Sequence, residues 1–285
     1  MAAVILDGKP LAAKIKEQVR REVETMEKKP GLAVVMVGDN TASMVYLKGR
    51  KRDCDQCGIY SEEYILPAET TQAELMELIA ELNARKDIDG ILFQMPMPDH
   101  INARAVLSAV RHDKDVDCFH PYNMGQLMLG EKAFRPCTPA GIMVLLREYG
   151  IDPAGKTCVI VGRSNIVGKP LAMMMVNHDA TVTICHTVTH DLEKKCRRAD
   201  ILVAAAGQRG LITGDMVKEG AVVIDIAINK DENGNLCGDV IYDEVAPKAS
   251  YITPVPGGVG LVTRAMLMKN TLTAAKYHAM GAPAP

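Results

Sequence analysis

The segment Gly162-Arg-Ser164-Asn-Ile-Val-Gly168 puts two glycines, a small hydroxyl residue and a cation directly behind the apolar run Thr157–Val161. That order suits an anion. Gly162 permits a tight turn, Ser164 is small enough for a close backbone approach, and Gly168 lets a following helix lie near a sheet. Pro170 belongs in the first turn of such a helix, where its missing N–H costs little. A pyrophosphate at that helix start would receive backbone N–H bonds and a favourable dipole. The same residues would also make a glycine turn in another α/β protein. There is no GxxxxGK[ST], so an ATPase P-loop is a poor fit.

A dinucleotide with a free ribose is often held by an acidic residue about 20 positions after the glycines. That region here reads Ile184-Cys-His-Thr187, with no Asp or Glu. Arg163 and Thr187, with His186 nearby, suit a 2′-phosphate, which a carboxylate would repel. NADP is therefore the expected cofactor; Arg163 facing solvent is the alternative.

A second group lies upstream. Tyr46 and Arg50 are four residues apart on an expected helix and share a face. With Lys48, Lys51 and Arg52 close by, two readings fit: a solvated basic face, or a site for an anionic substrate or an activated carbon beside Tyr46. Gln94 follows a strand-like run, and Asp117 ends Lys114-Asp-Val-Asp117. An amide and a carboxylate can pair with the donors and acceptors of a fused heterocycle, or both can be surface residues. Pro256-Gly257-Gly258 forms a further tight loop.

Metal-like patterns do not hold up. Cys54-x-x-Cys57 has no second pair at zinc-site spacing. Asp113-x-Asp115-x-Asp117 opens like a calcium loop, but Cys118 and Met124 occupy the positions that need Gly and Glu. No HExxH and no G-x-S-x-G occurs.

These residues need a scaffold of alternating strands and helices. Residues 32–37, 60–66 and 90–95 read as strands. A helix is expected over 42–57, burying Met44, Leu47 and Cys54, and another opens at the capping box Thr71-Gln-Ala-Glu74 and runs to about Arg85. Pro136-Cys-Thr-Pro139 is a rigid connector to a helix over 140–148. Strands at 157–161, 180–185, 201–205, 222–226 and 251–253 follow, with a turn or hairpin in DENGNLCG and a last helix from Gly260 to about Tyr277. The expected fold is α/β: two α/β domains flanking a cleft, the second Rossmann-like and dinucleotide-binding. The first domain covers 1–138 and is rejoined by the returning C-terminal segment 256–285; the second covers 139–255.

Composition narrows the class. At 285 residues with 48% apolar content, the chain can bury a sizeable core, which argues against disorder. A formal charge of -2, with both signs interspersed, argues against nucleic-acid binding through bulk attraction. No run approaches a membrane span, and the Met1 segment lacks the form of a signal peptide. Eight scattered cysteines fit a reduced, cytoplasmic protein. Most of the 17 methionines are expected to fill interior gaps rather than line a cofactor.

The stretches TASMVYLKGRKRDCDQCGI, DGILFQMPMP, KDVDCFHPYN, RPCTP, VIVGRSNIVGKPLA, ADILVAAAGQ, VIDIAIN, GDV and ITPVPGGVG, in this order along nearly the whole chain, closely resemble the methylenetetrahydrofolate dehydrogenase/cyclohydrolase family. The resemblance implies a homodimer whose folate lies between two domains. It implies NADP-dependent oxidation of 5,10-methylenetetrahydrofolate to the methenyl form, then hydrolysis to 10-formyltetrahydrofolate. It assigns folate-site and catalytic roles to Tyr46, Gln94 and Asp117, nucleotide contacts to Gly162, Arg163, Ser164, Thr187 and Ile228, and a folate-bordering loop to Pro256, Gly257 and Gly258.

The main departure is Arg50, which stands where the family has its catalytic lysine. Arginine stays charged and is a poor general base. Lys51 is turned by about 100° around an ideal helix and does not inherit the geometry. The expectation is intact dehydrogenase activity with weakened or absent cyclohydrolase activity. The alternatives are a monofunctional dehydrogenase, a non-folate NADP oxidoreductase, or a non-catalytic folate-binding or interaction protein. Further departures are Asn40-Thr41 for Asp-Pro, Cys118 and Ala227 for glycines, Thr187 for serine, and Leu261-Val262 for Pro-Met.

Overall fold

The computed structural model describes residues 2–38, 41–131 and 134–281; within the helix that starts at Thr41, the side chains of residues 41–43, 45 and 46 are outside the description. Asn40 and the side chains of Thr41 and Tyr46 therefore lie outside the described residues. In chain order the elements begin with β1 (Val4–Ile5), α1 (Gly8–Glu24), β2 (Gly31–Val37), α2 (Thr41–Cys57), β3 (Tyr60–Leu66), α3 (Gln72–Ala84), β4 (Gly90–Phe93), α4 (Ala103–Ala109), α5 (Pro121–Leu129) and α6 (Cys137–Glu148). They continue with β5 (Thr157–Val161), α7 (Gly168–Val176), β6 (Thr181–Cys185), α8 (Leu192–Cys196), β7 (Ile201–Ala204), β8 (Val222–Asp225), β9 (Asn229–Lys230), β10 (Leu236–Cys237), α9 (Tyr242–Val245), β11 (Tyr251–Ile252) and α10 (Val259–Ala279).

The chain divides into two compact units. One holds residues 13–137 and 264–281 and is built on a parallel sheet of order β3-β2-β4. β2 reads GLAVVMV and is buried along its whole length, as a central parallel strand covered on both faces must be. Leu75, Ile79 and Leu82, at helical spacing on α3, join Ala33, Val35, Ile91 and Phe93 in one core. The capping box forms as read: the Thr71 hydroxyl accepts from the Glu74 N–H, and the Glu74 carboxylate accepts from the Thr71 N–H. Leu47 and Cys54 are buried on α2, while Met44 is only partly so.

The other unit holds residues 2–12 and 138–263, on a parallel sheet of order β1-β11-β8-β7-β5-β6. DENGNLCG forms the expected hairpin, β9 against β10, with Asp231 accepting the N–H groups of Asn233 and Asn235 in the turn. The grouping of residues 2–12 differs from the domain limits read from sequence. β1 pairs with β11, Val4 opposite Tyr251 and Ile5 opposite Ile252, so this segment extends the second sheet. A two-residue strand has no periodicity to read, and only its partner strand defines it. Residues 256–263 also pack with this unit, where the Gly8 N–H donates to the Gly257 carbonyl at 3.0 Å. A Cβ on Gly8 would lie 2.0 Å from the Gly258 oxygen, so this approach admits only glycine.

Candidate active site and dinucleotide loop

In the first unit, Gln94 follows the carboxyl end of β4, its N–H held by the Val35 carbonyl at 2.8 Å. Its side-chain N–H donates to the Met95 carbonyl at 2.7 Å, which turns Oε1 toward α2. Arg50 Nη1 donates to that Oε1 at 2.6 Å. Arg50 thus faces the site instead of solvent. Lys51 points elsewhere and pairs with Asp55 on the exposed helix face at 2.5 Å. The Tyr46 position is one turn before Arg50 on α2; its side chain is outside the described residues.

Asp117 sits on a loop fastened from both sides. The buried Asp115 carboxylate accepts the N–H groups of Phe119 at 3.1 Å and His120 at 2.7 Å, and the Asn123 amide at 2.9 Å. Asn270 of α10 donates to the carbonyls of Val116 at 2.8 Å and Arg135 at 3.0 Å. Asp117 keeps some surface open, but its carboxyl lies deep enough that desolvation dominates and pushes its pKa up to about 6. The Arg50 charge and the Cys137 thiol pull it down, and the Asp115 charge pushes it up. Arg50, Gln94 and Asp117 therefore form one electrostatically linked group. The Asp-x-Asp-x-Asp spacing is explained without calcium: Asp113 pairs with Arg111, Asp115 anchors the loop, and Asp117 faces Arg50.

Asp115, Asn123, Cys137 and Asn270 are the supporting residues that sequence reading missed. Asp115 alone left a signal, since it alternates with its two acidic neighbours. The others meet the loop only through tertiary packing. Cys118 adopts φ 62°, a left-handed conformation in which an L residue costs about 1–2 kcal/mol over glycine. Its thiol donates to the Phe134 carbonyl at 3.1 Å. Ala227 is not among the residues with positive φ, so alanine fits there without strain.

In the second unit, Gly162 leaves β5 with φ 136°, and a Cβ there would lie 2.2 Å from the Ala205 oxygen. A Cβ on Gly168 would lie 2.2 Å from the Gly162 oxygen, so both glycines are required by close backbone approach. The Ser164 hydroxyl accepts the N–H groups of Val167 at 3.2 Å and Gly168 at 3.3 Å, closing the turn onto α7. β5 lies between β6 and β7, where the strand order reverses, and ligands of doubly wound sheets bind at the carboxyl ends there. Arg163 and Thr187 each stand two residues beyond paired strand ends, Val161 opposite Cys185, and both are exposed. Arg163 forms no ion pair among the described residues. A cradle open to backbone contact, a free cation and no acid after β6 fit a dinucleotide phosphorylated on its ribose.

Ile228 is exposed beyond β8. Just before it, buried Asp225 accepts the N–H groups of Ala227, Asp239 and Val240, and desolvation pushes its pKa up to about 6. Asp239 in turn accepts from Ala206 at 2.7 Å and Gly207 at 3.0 Å, so two carboxylates shape the loops after β7 and β8. Gly257 has φ 115°, and the Gly258 N–H donates to the Pro254 carbonyl at 3.0 Å. The 50–117 group and the 162–258 group belong to different units.

A cavity of about 1100 Å³ lies elsewhere in the first unit, lined in part by Lys28, Arg85, Asp89, Lys114 and His278. Several of its polar groups already have partners: Lys28 and His278 contact Asp89, Lys114 donates to the carbonyls of Leu82 and Arg85, and Arg85 pairs with Asp87. It carries none of the chemistry above. Among the described residues no cluster of His, Cys, Asp or Glu could hold a metal ion, and no helix is long and apolar enough to cross a membrane.

Two family models match. The tetrahydrofolate dehydrogenase/cyclohydrolase catalytic domain covers residues 6–117, and the NAD(P)-binding domain of the same family covers residues 136–279. The chain belongs to the tetrahydrofolate dehydrogenase/cyclohydrolase family. It is 56% identical over 279 residues to the bifunctional protein FolD of Moorella thermoacetica, covering 97% of this chain and 100% of that one. The crystal structure of FolD from Campylobacter jejuni superposes with a TM-score of 0.95 at 49% identity, over 96% of this chain and 99% of that one. The FolD of Trypanosoma brucei, solved with NADP and an inhibitor, gives a TM-score of 0.94 at 39% identity, over 98% and 99%.

Proposed function

We propose that this tetrahydrofolate dehydrogenase/cyclohydrolase oxidises 5,10-methylenetetrahydrofolate to 5,10-methenyltetrahydrofolate with NADP and hydrolyses the product to 10-formyltetrahydrofolate. The observation that carries the reading is full-length family membership together with Arg50, Gln94 and Asp117 assembled at one place. A monofunctional dehydrogenase is not favoured, because relatives matched over their whole length are bifunctional by name. The unit of residues 13–137 and 264–281 takes the folate and catalytic role, and the unit around Gly162 the NADP role.

When bound, NADP supplies the acceptor for the two electrons and hydrogen leaving the one-carbon bridge. The chain's own contribution to that step is placement. Gly162, Ser164 and the start of α7 receive the pyrophosphate, Arg163 and Thr187 the 2′-phosphate, and Ile228 borders the nucleotide. Tyr46, Gln94 and Asp117 hold the folate, Asp117 and Gln94 pairing with the pterin edge. No base is needed at the reacting carbon, since the adjacent folate nitrogen stabilises the developing cation. Orientation then supplies much of the rate.

Water addition needs a proton acceptor, and Arg50 stays charged. Arg50 is instead a fixed cation that holds Gln94 at 2.6 Å. Asp117, which desolvation raises to about 6, is ionised above that pH and then accepts from the pterin edge. A cytoplasmic homodimer belongs to the same proposal. The test follows NADPH formation and methenyl absorbance separately on one preparation, with spontaneous hydrolysis subtracted. Both enzyme-dependent signals are expected; a folded protein that forms no NADPH from methylenetetrahydrofolate refutes the assignment.

A further inference from the structure

Asp53 lies on α2 one turn beyond Gly49 and is almost wholly buried, at 3% exposure. It meets two cations from two other helices. Lys16 of α1 donates to Oδ1 at 2.8 Å and also to Gln56 at 2.7 Å. Arg264 of α10 brings Nε to 3.0 Å from Oδ2, a charge contact whose angle is not that of a hydrogen bond, and both atoms are sealed from solvent. The same guanidinium lies across Gly49, where a Cβ would come within 2.0 Å of Nη1. Glycine inside a helix is destabilising relative to alanine, and this approach gives it a reason. Gly49 directly precedes Arg50, whose guanidinium reaches Gln94 at 2.6 Å.

A buried ion cluster adds little net stability over apolar packing of the same volume, but it can fix one register against others. α2 has to be held along its axis and in rotation for Arg50 to reach Gln94. We infer that Arg264, through Asp53 and across Gly49, is a positioning residue that sets the place of Arg50 in the folate reactions. This rests on the folate reading above. Arg264 touches no reacting atom. It clamps the turn of α2 from which Arg50 projects, and Lys16 holds the far side of the same carboxylate.

The test is a double-mutant cycle on the full-length enzyme. Arg264→Met should lower kcat/KM for methylenetetrahydrofolate by roughly tenfold to a hundredfold, the range that a displacement of about 1 Å produces. KM for NADP should stay unchanged, and Arg264→Lys should restore most of the loss. In an Arg50→Met background the same Arg264→Met change should have almost no further effect, because coupled sites are not additive. A loss of equal size in both backgrounds, or none in either, overturns the inference. If Arg264→Met does not fold, Asp53→Asn carries the same cycle, since it removes the other charge of the contact. Absence of folate activity in the unmutated protein would defeat the functional reading instead, so the two failures are distinct.

Discussion

Asp117→Asn separates what the folate site costs from what it does. Burial moves the Asp117 pKa from 3.8 to about 6, the attraction of Arg50 already included. Each pKa unit is worth 1.36 kcal/mol, so ionised Asp117 costs the folded state at most about 3 kcal/mol. Partial exposure screens this to about 1–2 kcal/mol. The sign follows from proton binding. Between pH 3.8 and about 6 the folded state holds the proton that the unfolded state has released, so stability falls as pH rises through this window and stays low above it. Asparagine mimics the neutral form and escapes the penalty. Urea unfolding at pH 8 should find the variant more stable by about 1–2 kcal/mol, with the gap narrowing at pH 6 and closing near pH 4. Asp225, also pushed up to about 6, contributes equally to both proteins and cancels in the difference. The same variant should lose about 10- to 100-fold in kcat/KM for the folate substrate, the worth of a charged hydrogen bond. A variant less stable than the parent at pH 8, or a gap that ignores pH, refutes the burial argument.

Arg50→Lys should raise methenyl hydrolysis by roughly tenfold or more, since lysine can serve as a proton acceptor, while dehydrogenation changes little. Slower hydrolysis in that variant would show that fixed charge, not proton exchange, limits the step. Arg163→Ser should raise KM for NADP by about 10- to 100-fold, the worth of charge-assisted contacts to phosphate, and leave KM for NAD alone. Parallel changes with both nucleotides would place Arg163 away from the 2′ position. Gly168→Ala forces a Cβ to 2.2 Å from the Gly162 oxygen. It should lose about 1–3 kcal/mol in urea unfolding and weaken NADP binding, and an unchanged protein would contradict the close approach.

What the sequence made legible were the features written in local pattern. The buried run of β2, the Thr71–Glu74 cap and the glycines of the β5–α7 turn each carry their own signature of period, cap or backbone space. β1 could not be read, because two residues acquire strand character only from β11. Within the site, the orientation of Lys51 follows from helix rotation, and its pairing with Asp55 agrees. The reach of Arg50 to Gln94 crosses 44 positions, and Asn270 reaches Val116 across 154. Such contacts depend on how helices pack, which neither periodicity nor spacing encodes. The DxDxD run shows both sides: its calcium reading failed on the missing Gly and Glu, but the separate work of each carboxylate appeared only with the fold.

The position of Arg50 also bears on how one site supports two reactions. A lysine there would feel both the attraction of Asp117 and the cost of burial, and its charge would shift with occupancy of the site. Arginine removes that variable, for it remains a cation throughout. Asp117 is then the member of the pair that titrates: desolvation brings it to about 6 while the cation holds it from climbing further. The two residues therefore divide the chemistry, one as fixed charge and the other as the group that titrates. Removing the cation should raise the Asp117 pKa again and move the acid limb of the folate reactions upward in pH. Placement of that cation depends on the turn of α2 that Asp53 and Arg264 clamp, so a charge contact outside the reacting groups bears on the proton balance within them.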